Sequence, residues 1–305
     1  MRLLVLGANG QVGFELLRAL APLGDVVAAT RDGALEDGRA CLRADLADAT
    51  SLAAALDDAH ADVVVNAAAY TAVDRAEDEP ELADRVNHRA VGEIGAWAAA
   101  NDARVVQYST DYVFDGSGSG HGRASRAYRE DDATAPLGVY GRTKLAGEDA
   151  LRASGARQLV FRTAWVYGAR GHNFLRTMLR LASERDELRV VDDQVGAPTP
   201  ARWIADATAL ALAPADEASG IFNLVAGGRC SWFEFARAIV EGAHRRGLIT
   251  RAPRVVPIAS AGFPTRAHRP AFSVLDAGRF RAAFGLELAD WRVGLDGVLD
   301  GMAAG

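Results

Sequence analysis

Tyr140 and Lys144 stand four residues apart in the run Val139-Tyr140-Gly141-Arg142-Thr143-Lys144. On a helix, both side chains leave the same face one turn apart. That pairing can carry proton transfer. A free phenol titrates near ~10 and needs help to act at neutral pH, and a neighbouring ammonium is expected to lower its pKa by favouring the phenolate. Upstream, Ala103-Arg104-Val105-Val106-Gln107 reads as a strand, and Tyr108-Ser109-Thr110-Asp111 follows it with a row of hydroxyls. A hydroxyl at a strand end beside the Tyr/Lys pair would hold a substrate carbonyl. Taken alone, Tyr-x-x-x-Lys is more often a surface pair on a helix. The first residues of the chain reverse that weighting.

Residues 2–6 form an apolar strand running into Gly7-Ala8-Asn9-Gly10-Gln11-Val12-Gly13, and a helical pattern follows through Phe14, Leu16, Leu17 and Leu20. Strand, glycine loop and helix in that order make a dinucleotide site, with a pyrophosphate resting on the amides of the helix N-terminus. A second strand, Asp25–Thr30, should end beside the adenosine ribose. An acid there would bond the 2′-hydroxyl, but Thr30 and Arg31 occupy the place. Arg31 is either a contact to a 2′-phosphate, which leans the site towards NADP, or a solvated loop residue. Asp45 and Leu46, after a third short strand, would flank the adenine.

These groups need a scaffold of alternating strands and helices. Asp62–Asn66, the run around 103–107 and Gln158–Thr163 read as further strands, and the Tyr140 segment reads as a helix between the last two. The expected architecture is α/β, a Rossmann-type doubly wound parallel sheet over residues 1–168. Residues 169–305 read as mainly a smaller, mixed α/β substrate lobe, with the chain returning to the first domain around 200–214. Ser231 and Glu234 fit an N-cap and capping box, a structural feature. Asn87, inside a helix, is expected to bond backbone rather than ligand. Gly116-Ser117-Gly118-Ser119-Gly120-His121-Gly122 is a glycine-rich loop, and residues 116–129 are a candidate lid.

The net charge of −6 and a pI near 5.6 argue against a nucleic-acid polymer or an anionic membrane as partner. No apolar run approaches the ~18 residues of a membrane span. Cys41 and Cys230 are far apart and form no metal or redox spacing, which fits a reduced cytoplasmic setting.

Taken together, the glycine loop, Asn66-Ala67-Ala68-Ala69 after a strand, Ser109-Thr110-Asp111-Tyr112-Val113-Phe114 and Tyr-x-x-x-Lys resemble the extended short-chain dehydrogenase/reductases. Within them the chain is similar to the branch that reduces the C4 ketone of dTDP-4-dehydro-β-L-rhamnose to dTDP-L-rhamnose. The resemblance runs over nearly the whole length, including 66–74, 108–114, 139–148, 161–167, 193–199 and 269–276. It implies Tyr140 as proton donor and Lys144 as its electrostatic partner and a contact to the nicotinamide ribose. It further implies that Thr110 bonds the C4 carbonyl and that Asp111 and Trp165 touch the sugar nucleotide. Gly10, Gln11 and Val12 would cover the pyrophosphate, and Ala68, Ala69, Tyr70 and Tyr108 would line the cofactor cleft. The implied cofactor is NADPH, with NADH as the other choice, and the implied partner is a dTDP-sugar bound to a monomer or homodimer.

Some members of this branch form a Mg2+-linked dimer through acidic side chains. Glu15 matches one such position, but Arg202 stands where another acid is expected, which argues against a metal bridge in this chain. Two other readings share these motifs: a reductase of another dTDP-4-keto-6-deoxy-L-sugar, and a non-catalytic nucleotide-binding subunit. Intact Thr110, Tyr140 and Lys144 count against the second.

Overall fold

In the computed structural model, which describes residues 1–117, 126–213 and 218–304, the glycine loop and the Tyr140 helix belong to one parallel sheet system. In chain order its elements are β1 (Arg2–Leu6), α1 (Gln11–Leu20), β2 (Asp25–Thr30), β3 (Leu42–Arg43), α2 (Ala49–Ala59) and β4 (Val63–Asn66). Next come the short α3 (Val73–Ala76) and α4 (Pro80–Asp84), α5 (Ala90–Ala100), β5 (Arg104–Thr110), α6 (Val139–Ala153) and β6 (Arg157–Thr163). A further stretch gives β7 (Val166–Tyr167), α7 (Phe174–Glu184), β8 (Glu187–Val191), β9 (Val195–Gly196), β10 (Thr199–Pro200), α8 (Ala201–Leu212) and β11 (Gly220–Asn223).

The main sheet has seven strands in the order β11-β6-β5-β4-β1-β2-β3, and every neighbouring pair is parallel. Parallel strands need crossovers, and the helices that supply them bury both faces. In β1 the alternation is visible residue by residue. Leu3 and Val5 pack with Leu16 of α1 and Ile204 of α8, while Leu4 and Leu6 pack with Leu52 of α2, Ile94 of α5 and Leu151 of α6. The strand order reverses between β1 and β4, and at such a switch point the carboxyl ends of the strands leave a crevice for a ligand.

After β6 the chain leaves the sheet and comes back. Helix α8 lies on α1, and β11 becomes the seventh strand beside β6, in register from Gly220↔Leu159 to Asn223↔Arg162. The sequence reading has no strand at 220–223. Four residues carry too little periodicity to be told from a loop.

The remaining elements, β12 (Cys230–Ser231), α9 (Trp232–Arg245), β13 (Arg254–Ile258), α10 (Gly278–Phe284) and α11 (Trp291–Ala304), complete the fold. β8 and β13 pair in parallel, and α7, α9 and α11 close a second core around Phe235, Ile239, Trp291 and Leu299. Helix α10 instead sends Phe280 into the core of the main sheet. The expected capping box is present: the Ser231 hydroxyl accepts from the Glu234 amide at 3.1 Å, and the Glu234 carboxylate accepts from the Ser231 amide at 2.8 Å. Among the described residues no helix is long and apolar enough to cross a membrane. Residues 118–125, the centre of the candidate lid, lie outside the described residues.

Candidate active site

The glycine loop is held by its own backbone. The Gly10 amide donates to the Gly7 carbonyl at 2.8 Å, and Gly7 takes a φ of 77°, where a side chain would be strained. A Cβ on Gly13 would lie 2.1 Å from the Gly7 carbonyl oxygen, so α1 can start close against β1 only with glycine there. The N-cap of α1 is Gly10, which brings no side-chain acceptor to the first turn. The amides of Gln11, Val12 and Gly13 at this helix start form an anion site of the kind a pyrophosphate fits.

Beside it, at the end of β2, Thr30 is buried and its hydroxyl is consumed by its own turn. It accepts from the amides of Gly33 and Ala34 at 3.0 and 3.1 Å and lies 2.9 Å from the Asp32 carboxylate. Arg31, by contrast, is exposed at the rim. Asn9 ties the glycine loop to this turn, donating to the Ala34 carbonyl at 2.9 Å and accepting from the Glu36 amide at 3.1 Å. Asp45 stays partly exposed and accepts from the Ala47 amide. The Leu46 side chain is buried in the core, so this residue offers the rim its backbone.

Across the sheet, β4 ends in Asn66, whose carboxamide accepts from the Ala68 amide at 3.2 Å and donates to Gln107 at 2.8 Å. Ala68 faces Gly7 so closely that a Cβ on the glycine would be 2.8 Å from the Ala68 nitrogen. Ala69 and Tyr70 follow, both partly buried. Asn87 exchanges two hydrogen bonds with the Tyr70 backbone, at 2.9 and 3.1 Å. It serves backbone, as its position inside a helical stretch implied.

The reacting groups converge at the end of β5. The Lys144 ammonium is buried and donates to the Tyr108 carbonyl at 2.6 Å. Thr110 lies beside Tyr140, close enough for its hydroxyl to pull on the phenol, and Tyr112 meets the Tyr140 ring edge-on at 5.8 Å. Helix α6 reaches this position because Gly141 brings its first turn against the Tyr112 carbonyl, where a Cβ would come within 2.2 Å. The Val139 amide at its start is capped by the Glu77 carboxylate at 2.7 Å.

Two sequence expectations change here. Tyr108 meets the site through its backbone carbonyl, because its ring turns into the core and its hydroxyl bonds Thr208 at 2.8 Å. The expected lowering of the Tyr140 pKa is also reversed: burial pushes the phenol up to about 12, against the pull of Thr110 and with a further push from the Asp111 charge. Lys144 is turned to the Tyr108 carbonyl, and burial draws its own pKa down to about 8. Tyr140 is therefore held as a protonated phenol at neutral pH, the form a proton donor needs.

Asp111 is buried at the same point. Its Oδ1 accepts from Thr110 at 3.1 Å, while its Oδ2 has no hydrogen-bond partner among the described residues. Burial pushes this carboxyl up to about 7, against the pull of Ser273 and Thr110. A buried, unpartnered oxygen is costly unless a ligand group completes it. Sequence reasoning missed a strap from the C-terminal third. Arg269 pairs with Asp74 at 2.6 Å and hydrogen-bonds Tyr112. No local spacing signals a contact 195 residues apart. Trp165, two residues past the end of β6, is half-buried with φ 48°.

Lys144 is the one lysine in the sequence; every other residue among its 34 lysines and arginines is an arginine. A guanidinium stays charged when buried and spreads over a plane, whereas an ammonium is a point charge whose protonation can shift. Position 144 thus keeps the chemistry that arginine cannot supply.

The acids that a Mg2+ bridge would need are otherwise engaged. Glu15 faces Arg18 at 3.7 Å, Asp206 pairs with Arg18 at 2.5 Å, and Arg202 lies 3.8 Å from Asp206. Among the described residues no group of three His, Cys, Asp or Glu side chains could hold a metal ion.

Comparison with known proteins agrees along the whole chain. A family model described as the RmlD substrate binding domain matches residues 1–304. The chain is 49% identical over 303 residues to a dTDP-4-dehydrorhamnose reductase of Burkholderia thailandensis, covering 96% of each. It is 42% identical over 310 residues to the reductase of Escherichia coli K12, covering 98% of this chain and 97% of that one. The crystal structure of a dTDP-4-dehydrorhamnose reductase from Clostridium acetobutylicum superposes with a TM-score of 0.87 at 33% identity, over 99% of both chains. That of Bacillus anthracis, in complex with NADP, gives 0.86 at 30% identity, over 98% of this chain and 99% of that one.

Proposed function

The chain belongs to the family of the RmlD substrate binding domain, and from its site we propose that it is an oxidoreductase that uses NAD(P)H to reduce the C4 ketone of dTDP-4-dehydro-β-L-rhamnose, giving dTDP-L-rhamnose. The observation that carries this reading is the convergence of Thr110, Tyr140 and Lys144 at the end of β5, on the sheet whose β1 opens into the glycine loop. The bound nicotinamide supplies the hydride. The chain's own groups supply position and the proton.

In this reading Thr110 holds the ketone oxygen, and Tyr140, protonated at neutral pH, gives its proton to that oxygen as negative charge develops there. The Lys144 ammonium stabilises the phenolate left behind and bonds the nicotinamide ribose. Asp111 takes a sugar hydroxyl on its free oxygen, and Trp165 forms a wall of the sugar-nucleotide pocket. Gly7, Gly10, Gln11, Val12 and Gly13 carry the pyrophosphate. With Thr30 consumed by its turn and Arg31 free at the rim, NADPH is the preferred cofactor. Residues 1–168 with the returning segments form the cofactor domain, and the rest is mainly the substrate lobe. The protein works in the cytoplasm as a monomer or as a homodimer without a metal bridge.

The test is nicotinamide oxidation at 340 nm with the keto-sugar nucleotide, using NADPH and NADH separately, with the product identified. Turnover to dTDP-L-rhamnose is expected. Cofactor binding without turnover would overturn the assignment.

A further inference from the structure

Three consecutive residues of β5 are tied to three successive turns of α6. The Tyr108 carbonyl takes the Lys144 ammonium, Ser109 donates to the Glu148 carboxylate, and Thr110 lies beside Tyr140. Glu148 is in turn gripped by Arg162 of β6, with Nε to Oε1 at 3.0 Å and Nη2 to Oε2 at 2.7 Å. The pair is 1% and 2% exposed. A third guanidinium nitrogen reaches the Glu130 carbonyl at 3.2 Å, and the group lies over the Phe114 ring at 5.2 Å. Ion pairs this deeply buried seldom stabilise a fold more than apolar side chains of the same volume. Their presence directly beneath the reacting groups calls for another reason.

We propose that Ser109, Glu148 and Arg162 form a positioning assembly that fixes the register of α6 on β5 and supplies the counter-charge that keeps Lys144 an ammonium. The assembly rests on the reading of Lys144 as the electrostatic partner of Tyr140. Lys144 and Glu148 are i and i+4 on one buried face, and the Glu148 charge acts on Lys144 in the direction opposite to burial. The other titratable groups beside this face are Tyr140 on α6, Tyr108 on β5, Asp111 and Tyr112 in the turn that follows and Arg162 on β6. On the remaining packed elements Glu93 pairs with Arg85, Asp84 with Arg89 and His88, and Asp74 with Arg269, while the Glu77 carboxylate caps the start of α6.

The single lysine allows a direct test. In full-length protein carrying 13C at the lysine Cε, one side-chain resonance reports Lys144, and its pH titration can be followed without turnover. Glu148→Gln keeps the size of the side chain and removes the charge, giving up at least one of the three hydrogen bonds the carboxylate accepts. Its Lys144 midpoint is expected to fall by about one pH unit, the scale of one nearby charge. kcat/KM should then fall about fivefold at pH 8 and little at pH 6. Should that variant fail to fold, the uncharged pair Glu148→Gln with Arg162→Gln is expected to move the Lys144 midpoint down by a smaller amount, because a cation leaves with the anion. A Lys144 titration unchanged in a folded variant would overturn the proposal. A shifted titration with an unmoved rate profile would support the assembly and overturn instead the assignment of Lys144 to the reaction.

Discussion

Trp165 lies flat on Trp232, with ring centroids 3.4 Å apart and planes 4° from parallel. The Trp165 backbone has a φ of 48°, a region costly for a bulky L-residue unless its surroundings impose it. Gly196 completes the clamp, since a Cβ there would be 2.5 Å from the indole. Trp232 is the first residue of α9, directly after the Ser231 cap. One end of the second core is thus built to hold one indole in one orientation.

If the clamp sets the sugar-nucleotide wall, Trp232→Ala should loosen Trp165 without touching the cofactor cleft. The expected result is a rise of roughly fivefold in KM for the sugar nucleotide, with the dissociation constant for NADPH unchanged. The stacking lost is about 1 kcal/mol. Steady-state kinetics and cofactor titration would check it, and an equal loss in both affinities would mean a general collapse of the lobe.

Tyr140→Phe removes the proposed proton donor and keeps the ring against Tyr112. Turnover should fall by about a hundredfold or more, the usual scale for a general acid, with sugar-nucleotide binding retained by calorimetry. Full turnover in that variant would take Tyr140 out of the mechanism.

Much of this site is legible in the chain because its signals are local. Gly7 to Gly13 follow a strand, Tyr140 and Lys144 share a helical face, and the β1 alternation of Leu3/Val5 against Leu4/Leu6 declares a strand buried on both sides. What stayed hidden depends on juxtaposition. Glu148 lies within the stretch that drew attention first, but nothing nearby in sequence names Arg162 or Ser109 as its partners. Arg269 and Asp74 meet only because the chain returns across the cleft, and Trp232 finds Trp165 only once α9 is placed. The sign of the Tyr140 shift is illegible for the same reason: spacing reveals a neighbouring lysine, while burial is a property of the assembled fold.

At the adenosine end, Arg31 is an exposed cation and Thr30 is already bonded. Arg31→Ala should raise KM for NADPH roughly ten- to hundredfold, as expected for losing a charge-assisted hydrogen bond to a 2′-phosphate, and leave KM for NADH nearly unchanged. Parallel kinetics with both cofactors decide it. Equal effects on the two would make Arg31 a solvated loop residue.

Asp111 and Lys144 give stability opposite pH slopes. The Asp111 carboxyl titrates at about 7 in the fold against an ordinary 3.8. Between those values the unfolded chain releases its proton while the folded chain keeps it, so stability falls as pH rises from about 4 to 7. Lys144 is held at about 8 against an ordinary 10.5. Its contribution is full above 10.5 and is lost as pH falls towards 8. Between pH 7 and 8 both groups therefore oppose folding. Asp111→Asn removes the acid's share alone, so its Tm should exceed that of the parent by a few degrees at pH 8 and by less at pH 5. Thermal unfolding at the two pH values tests this, and a variant destabilised equally at both would show that the carboxyl is stabilised as an anion by the fold.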